Sequence, residues 1–80
     1  MVNWQEHIEV NPRILVGKPV LKGTRLSVEF VMERLADGWS EAEILENYPR
    51  LTKEGLRAVY AYVHALLRES MVYSFPSKAA

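Results

Sequence analysis

Apolar residues change their spacing at Ser27, and this change limits the chain to a small number of folds. Before Ser27, short apolar runs alternate with glycine, proline and asparagine, which is typical of strands and turns. After Ser27, apolar residues recur every three or four positions, which is the period of a helix. Eighty residues make one small domain, so the sequence predicts a short β region followed by helices.

Three helices are predicted after Ser27, at about residues 28–37, 41–47 and 53–69. The third has the clearest pattern, because one apolar face continues along it at Leu56, Val59, Tyr60, Val63 and Leu67. The ends of the helices carry residues that favour capping, namely Ser27, Gly38, Ser40 with Glu43, and Thr52. The predicted fold is therefore mainly α, a three-helix bundle preceded by a short β-strand or hairpin region.

The β region covers residues 8–26. Its predicted strands are three short apolar or β-branched runs, at 8–10, 13–16 and 19–21. Pro19 cannot donate a hydrogen bond to a ladder, so its strand begins there or lies at an edge. The sequence therefore divides into an N-terminal extension at 1–7, a single domain at 8–69 and a C-terminal tail at 70–80.

Composition limits how the domain is stabilised and where it works. The chain has no cysteine and only a thin core, so we expect good helix packing or a homodimer. No apolar run approaches the roughly 20 residues of a membrane span, and the N-terminus has acids where a signal peptide has cations. We therefore expect a soluble, cytoplasmic protein. Without a cofactor motif, a metal cage or a paired nucleophile and base, we expect no enzyme activity, cofactor or metal.

The charges cancel overall but are sorted along the chain. Residues 11–26 carry four cations and no acid, whereas residues 27–47 carry six acids and one arginine. A net charge of zero argues against strong non-specific nucleic-acid binding, which depends on phosphate neutralisation. The acidic stripe of the first helix, formed by Glu29, Glu33 and Asp37, is either a solvated face or a docking surface for a basic partner.

The stretch Gly17–Arg25, "GKPVLKGTR", resembles a phosphate-binding loop in composition but not in spacing. Its second glycine comes six positions after the first, and Gly-Thr-Arg replaces the Gly-Lys-Thr of a nucleotide-binding P-loop. Gly17 and Gly23 are better interpreted as turn positions. The cations Lys18, Lys22 and Arg25 have three interpretations: solvated turn residues, partners of an acidic face, or contacts to DNA phosphates.

The second and third helices, with a short turn between them, have the spacing of a helix-turn-helix. In such a unit the last helix reads DNA, so Lys53 and Arg57 are candidate base contacts and Arg50 is a candidate phosphate contact. Any three-helix bundle can show this spacing, and the acidic second helix would repel the DNA backbone. Four aromatic residues favour core packing over base stacking, with the last expected to be the most exposed: Trp39, Tyr48, Tyr60 and Tyr62.

These segments together resemble the bacterial domain of unknown function 433 (DUF433). The likeness covers about residues 8–68 and rests on Gly-Lys-Pro leading to Gly-Thr-Arg, on Gly-x-Ser-x-x-Glu-Ile and on Tyr-Pro-x-Leu-Thr. The matching residues are Gly17, Lys18, Pro19, Gly23, Thr24, Arg25, Gly38, Ser40, Glu43, Ile44, Tyr48, Pro49, Leu51 and Thr52. Gly55 departs from the family pattern, in which a larger or acidic residue is expected.

The resemblance implies a homeodomain-like helix-turn-helix fold with a small β element. It also implies an antitoxin of the VapB type, which binds a PIN-like nuclease toxin and represses its own operator DNA. The DNA-binding residues would then be Lys18, Lys22, Arg25, Arg50, Lys53 and Arg57. The tail would supply partner-binding residues at Met71, Val72, Tyr73 and Phe75. The alternative function is a small homo-oligomeric protein-interaction module that does not bind DNA.

Overall fold

The computed structural model describes residues 2–69 and contains a two-stranded antiparallel hairpin followed by three helices. This architecture confirms the predicted small, mainly α fold. The strands are β1 (Ile8–Val10) and β2 (Pro19–Leu21), and the helices are α1 (Val28–Ala36), α2 (Glu41–Asn47) and α3 (Lys53–Glu69). Two single 3-10 turns, Trp4–Glu6 and Leu15–Gly17, precede the strands. No helix within the described part of the chain is long and apolar enough to cross a membrane.

The hairpin places one apolar pair in the core. Ile8 of β1 lies opposite Leu21 of β2, and both side chains are buried. Pro19 is the first residue of β2, as predicted. On the other side of β2, the Leu21 amide donates to the Leu26 carbonyl at 2.9 Å, and Val20 forms a bridge with Ser27. The start of α1 is therefore fixed directly against the hairpin.

The strand predicted at residues 13–16 is wrong. Leu15 and Val16 have positive φ angles of 49° and 56°, a left-handed conformation that is incompatible with an extended strand. Gly17 follows with a φ of 84°, which glycine adopts without strain. The chain must reverse direction between β1 and β2, so these residues form a compact turn. Val16 is left 94% exposed at its surface.

α1 begins and ends with the caps that its sequence indicates. The Ser27 hydroxyl accepts a hydrogen bond from the Phe30 amide at 2.9 Å. At the other end, Gly38 has a φ of 101°, its amide donates to the Leu35 carbonyl, and the Trp39 amide donates to the Arg34 carbonyl. This pair of bonds is a Schellman motif. The helix ends at Ala36, one residue earlier than predicted, because Asp37 is the C-cap.

α2 and α3 have the predicted bounds because their caps are local. The Ser40 hydroxyl accepts from the Glu43 amide at 3.1 Å, and the Glu43 carboxylate accepts from the Ser40 amide at 2.8 Å. This is the capping box that the spacing predicts. Thr52 caps α3 in a similar way, since its hydroxyl accepts from the Gly55 amide at 2.9 Å. Residues 48–52 therefore form a short, well-defined connection between the two helices.

The core lies between the hairpin and the three helices. Its buried side chains come from both strands, all three helices and the connection between α2 and α3: Ile8, Val20, Leu21, Val28, Val31, Ile44, Leu51, Leu56, Ala58, Val59 and Ala61. Trp39 and Tyr48 pack against it with their rings stacked 6.2 Å apart, which confirms that they serve packing. Phe30 meets Tyr48 edge-on at 5.4 Å, so this aromatic group joins α1 to α2.

The exposed face of α3 differs from the prediction at three positions. Tyr60, predicted in the core, is 39% exposed, and Leu67 is 50% exposed. Tyr62, expected to be the most exposed aromatic, is half-buried because Trp4 packs edge-on against its ring at 4.8 Å. The N-terminal 3-10 turn therefore covers the side of α3 that was expected to face solvent. No local sequence pattern indicates that this turn packs against α3.

Candidate functional site

A hydrogen bond joins the connection between α2 and α3 to the hairpin. The Arg50 guanidinium donates from Nη1 to the Gly23 carbonyl at 3.0 Å, although the two residues are 27 positions apart in sequence. Arg25 and Arg50 line the same cleft of about 520 Å³, together with Glu9 and Ile14. Two of the predicted DNA-binding residues, one from the hairpin and one from the helical turn, are thus brought together.

Lys22 and Arg25 are exposed cations on either side of the Gly23 turn. The turn itself is rigidly bonded: the Lys22 amide donates to the His7 carbonyl at 2.8 Å, and the Thr24 hydroxyl donates to the Leu21 carbonyl at 2.7 Å. Within residues 2–69, neither cationic side chain has a hydrogen bond or an ion pair. With Arg50 they form a cationic surface, called here the hairpin cleft. Arg25 and Arg50 line the cleft itself together with the acid Glu9, and Lys22 lies beside it on the Gly23 turn.

Lys18 differs from the other hairpin cations because an acid already neutralises it. Its Nζ lies 2.9 Å from Oε1 of Glu29 on α1. Both side chains are more than half exposed, so the pair contributes less than about 1 kcal/mol to stability. Of the three interpretations of these cations, pairing with an acidic face applies to Lys18 alone. The sequence did not distinguish Lys18 from Lys22.

The acidic stripe of α1 is also occupied within the chain. Arg34 lies 3.6 Å from the Glu33 carboxylate and 3.3 Å from that of Asp37. The same guanidinium stacks over the Phe30 ring, 5.0 Å from its centre. With Glu29 paired to Lys18, all three carboxylates of the stripe have a cationic neighbour. The stripe is therefore poorly suited to bind a basic partner.

Lys53 and Arg57 lie on the wall of a second, larger depression between α2 and α3. This α2–α3 groove has a volume of about 740 Å³. One wall is formed by Glu41, Ala42 and Leu45, and the other by Lys53, Arg57, Tyr60 and His64, with Val2, Leu56 and Ala61 completing it. Lys53 and Arg57 have no hydrogen bond or ion pair to any other residue between 2 and 69.

A hydrogen bond crosses the groove from one helix to the other. The Tyr60 hydroxyl donates to Oε2 of Glu41 at 2.7 Å. Burial, followed by this hydrogen bond and by the negative charge of Glu41, raises the pKa of Tyr60 to about 12. Tyr60 therefore remains neutral at any physiological pH and is bonded to Glu41, the only acid among the described residues that line the groove.

The sequence contained a signal for this groove that the prediction did not use. Lys53, Arg57, Tyr60 and His64 follow one another at intervals of four, three and four residues, which places them on one helical face. The apolar pattern assigned Tyr60 to the core instead. Glu41 and Leu45 were interpreted only as parts of the capped second helix. Their approach to α3 is set by the tertiary fold.

Two further predictions concern chemistry and the tail. Within residues 2–69, no three histidine, cysteine, aspartate or glutamate side chains are grouped so that they could hold a metal ion. The predicted partner-binding residues Met71, Val72, Tyr73 and Phe75 lie outside the described residues. The arrangement that is described offers two depressions lined in part by cations, the hairpin cleft with Arg25 and Arg50 and the α2–α3 groove with Lys53 and Arg57.

Residues 8–63 match the model of the DUF433 family, which is described as a family of proteins of unknown function. The chain belongs to this family. The matched range contains both the hairpin cleft and most of the α2–α3 groove. Both depressions are therefore features of the DUF433 domain in this chain.

Two relatives agree with this assignment. The chain is 38% identical over 61 residues to the uncharacterised protein y4eO of Sinorhizobium fredii, a match that covers 76% of this chain and 28% of y4eO. The crystal structure of a DUF433 member from Anabaena variabilis is 29% identical and superimposes with a TM-score of 0.75. That match covers 81% of this chain and 64% of the Anabaena chain. The chain thus spans less than two thirds of either relative.

Proposed function

We propose that this DUF433 domain is an antitoxin-like regulator that binds operator DNA and a PIN-like nuclease toxin. The observation that carries the DNA part is the hydrogen bond from Arg50 to the Gly23 carbonyl. It places an arginine from the connection between α2 and α3 beside the hairpin cations Lys22 and Arg25. Contacts from such cations to phosphates fix the register and orientation of a protein on the duplex.

The order of the elements supports the same function. α2 has seven residues, the connection has five, and α3 has 17, which is the spacing of a helix-turn-helix. In this arrangement α3 would approach the major groove with Lys53 and Arg57 near its start. The hairpin cleft would contact phosphates beside it. A homodimer would present two such units to the two half-sites of an operator.

The salt dependence of DNA binding tests this proposal with a matched pair of lysines. Lys22→Ala should lower the slope of log K against log salt by about 0.9, because one phosphate contact is lost. Lys18→Ala removes the same charge from the other end of β2 but should have little effect, since Glu29 already neutralises it. The measurement is fluorescence anisotropy with the DNA upstream of the protein's own coding sequence, at several salt concentrations.

Two results would contradict the DNA proposal. The first is an absence of salt-sensitive binding to that upstream DNA. The second is an equal effect of Lys18→Ala and Lys22→Ala, because the hairpin cleft would then have no special role. The toxin part is tested separately, by co-expression with the product of the adjacent gene. Co-purification and loss of that product's nuclease activity are the expected results.

A second candidate function is a protein-interaction module that does not bind DNA. The observation that favours it is the position of Lys53 and Arg57, which line a concave groove with an apolar floor. A helix that reads the major groove presents its contacts on a convex surface instead. Under this alternative, the domain would co-purify with a protein partner, and the Lys22 variant would behave like the wild type in every DNA assay.

A further inference from the structure

We propose that the α2–α3 groove binds a helical segment of a partner protein that carries apolar residues flanked by carboxylates. This inference rests on the part of the proposed function that gives the domain a protein partner, and it assigns a surface and a chemistry to that partner. A third helix lying between two others is a common way for an amphipathic segment to bind a small domain.

The described residues at the floor of the groove are apolar. Leu56 and Ala61 form its base but are themselves only 2% and 5% exposed, so the accessible apolar surface comes mainly from Leu45, which lies half-buried on the α2 side. Ala42 is small and exposed, so it leaves room above Leu45. An apolar side chain entering here would be removed from water on several sides, and burial of a leucine-sized side chain is a main source of binding free energy.

The charges on the walls select for an acidic partner. Lys53 and Arg57 stand one helical turn apart, and neither has a partner within residues 2–69. Glu41, on the facing wall, already accepts a hydrogen bond from Tyr60 at 2.7 Å. Two cations therefore share the groove with one carboxylate, the net charge of these groups is positive, and carboxylates on the incoming segment would complement it.

The exposed face of α3 extends this surface beyond the groove. Tyr60, His64 and Leu67 are spaced four and three residues apart, and Leu67 is 50% exposed on this face. From Lys53 to Leu67 the helix rises about 21 Å. A partner helix of about four turns would match this length and could contact both the cations and Leu67.

Two other occupants fit the charges less well. Residues 70–80 of this chain contain no aspartate or glutamate, so their side chains cannot neutralise Lys53 and Arg57. A second copy would have to use the acids that have no hydrogen bond or ion pair within residues 2–69, namely Glu6, Glu9, Glu46, Glu54 and Glu69. No two of these acids stand one turn apart on one helix, whereas Lys53 and Arg57 do. A different protein with free carboxylates is the occupant that the groove matches.

Two synthetic peptides test the proposal on the full 80-residue chain. Both would be helical and carry leucines at i and i+4, with flanking glutamates in one and flanking lysines in the other. The acidic peptide should shift the amide resonances of Leu45, Tyr60 and His64 and should bind more weakly as salt rises. Lys53→Ala with Arg57→Ala should weaken its binding by roughly tenfold.

Two variants keep the test specific. Ala42→Glu places a carboxylate at an exposed position of the groove wall and should repel the acidic peptide without unfolding the domain. Lys22→Ala with Arg25→Ala alters the hairpin cleft, so peptide binding should be unchanged while DNA binding falls. This second pair separates the groove proposal from the DNA proposal, since either can fail while the other holds.

Each of the following three outcomes would overturn the proposal. Equal binding of the acidic and basic peptides would show that the charges of the groove select nothing. Binding of the acidic peptide without shifts at Leu45, Tyr60 or His64 would place it elsewhere. Concentration-dependent shifts of the same resonances in the protein alone would assign the groove to a second copy instead.

Discussion

The Tyr60 hydroxyl connects the two walls of the groove, and it explains why the sequence pattern wrongly placed this residue in the core. Its position in the apolar repeat of α3 suggests the core, but a phenol ring is apolar on its faces and polar at its end. The ring lies against the groove while the hydroxyl reaches Glu41. The apolar pattern identifies the helix correctly and cannot show on which side of it a neighbouring helix will lie.

The raised pKa of Tyr60 gives the first prediction. Because its folded pKa is about 12 and its unfolded pKa is about 10, the unfolded chain loses the proton first. The stability that Tyr60 contributes is therefore complete below about pH 10 and is lost as the pH rises towards 12. The measurement is tyrosinate absorbance during an alkaline titration of the wild type and of Tyr60→Phe. One tyrosine should titrate late in the wild type, and this late step should be missing from Tyr60→Phe.

Glu41→Gln provides the control for this titration. It removes the negative charge but leaves the burial of Tyr60, so the pKa of Tyr60 should fall part of the way towards its ordinary value. The wild-type curve minus the Tyr60→Phe curve gives the titration of Tyr60 alone. If this difference is centred near the ordinary tyrosine pKa, it contradicts the contact between Tyr60 and Glu41.

At the level of elements, α2 is the helix that depends most on its cap. It has only seven residues, and isolated helices of this length are not stable in water. Its capping box satisfies amides that no helical carbonyl can reach. Because caps involve residues within three positions of one another, the sequence alone predicted the bounds of α2 and α3. The turn at Leu15–Gly17 was missed because the reversal between the strands determines it.

Ser40→Ala should therefore destabilise the domain by about 1 kcal/mol, the usual cost of losing an N-cap. Ser40→Asp keeps an acceptor at the same position and should retain most of the stability. Urea unfolding followed by tryptophan fluorescence measures both variants, because Trp39 is adjacent to the cap. A Ser40→Ala variant that is as stable as the wild type would show that the cap contributes little.

For the whole molecule, the small core limits the free energy of unfolding. A domain of this size has a free energy of unfolding of roughly 4–12 kcal/mol. Ile44 is completely buried at the point where α2 meets the other helices, so Ile44→Ala should cost about 3 kcal/mol and Ile44→Val about 1 kcal/mol. Thermal and urea unfolding of the two variants test this order. Similar losses in both would mean that the surroundings of Ile44 collapse to fill the cavity.

The sequence predicted the candidate surfaces only in part, because each surface joins residues from separate elements of the chain. The sequence identified Lys18, Lys22, Arg25, Arg50, Lys53 and Arg57 as candidate DNA contacts and did not distinguish Lys18, which pairs with Glu29, from the other five. It could not show that Arg50 reaches Gly23, because that contact joins residues 27 positions apart. Nor could it show that Lys53 and Arg57 belong to a groove, since the opposite wall comes from another helix.

Gly55 lies between Lys53 and Arg57 in the first turn of α3. A Cβ at this position would lie 3.2 Å from Leu51 Cδ1, 3.3 Å from Thr52 Oγ1 and 3.5 Å from Leu21 Cδ2. The distance to Leu21 is an ordinary van der Waals contact, whereas Leu51 and the capping hydroxyl of Thr52 would each have to shift by a few tenths of an ångström. Exchange at this one position would thus disturb the start of the helix that carries Lys53 and Arg57, with no cation gained or lost.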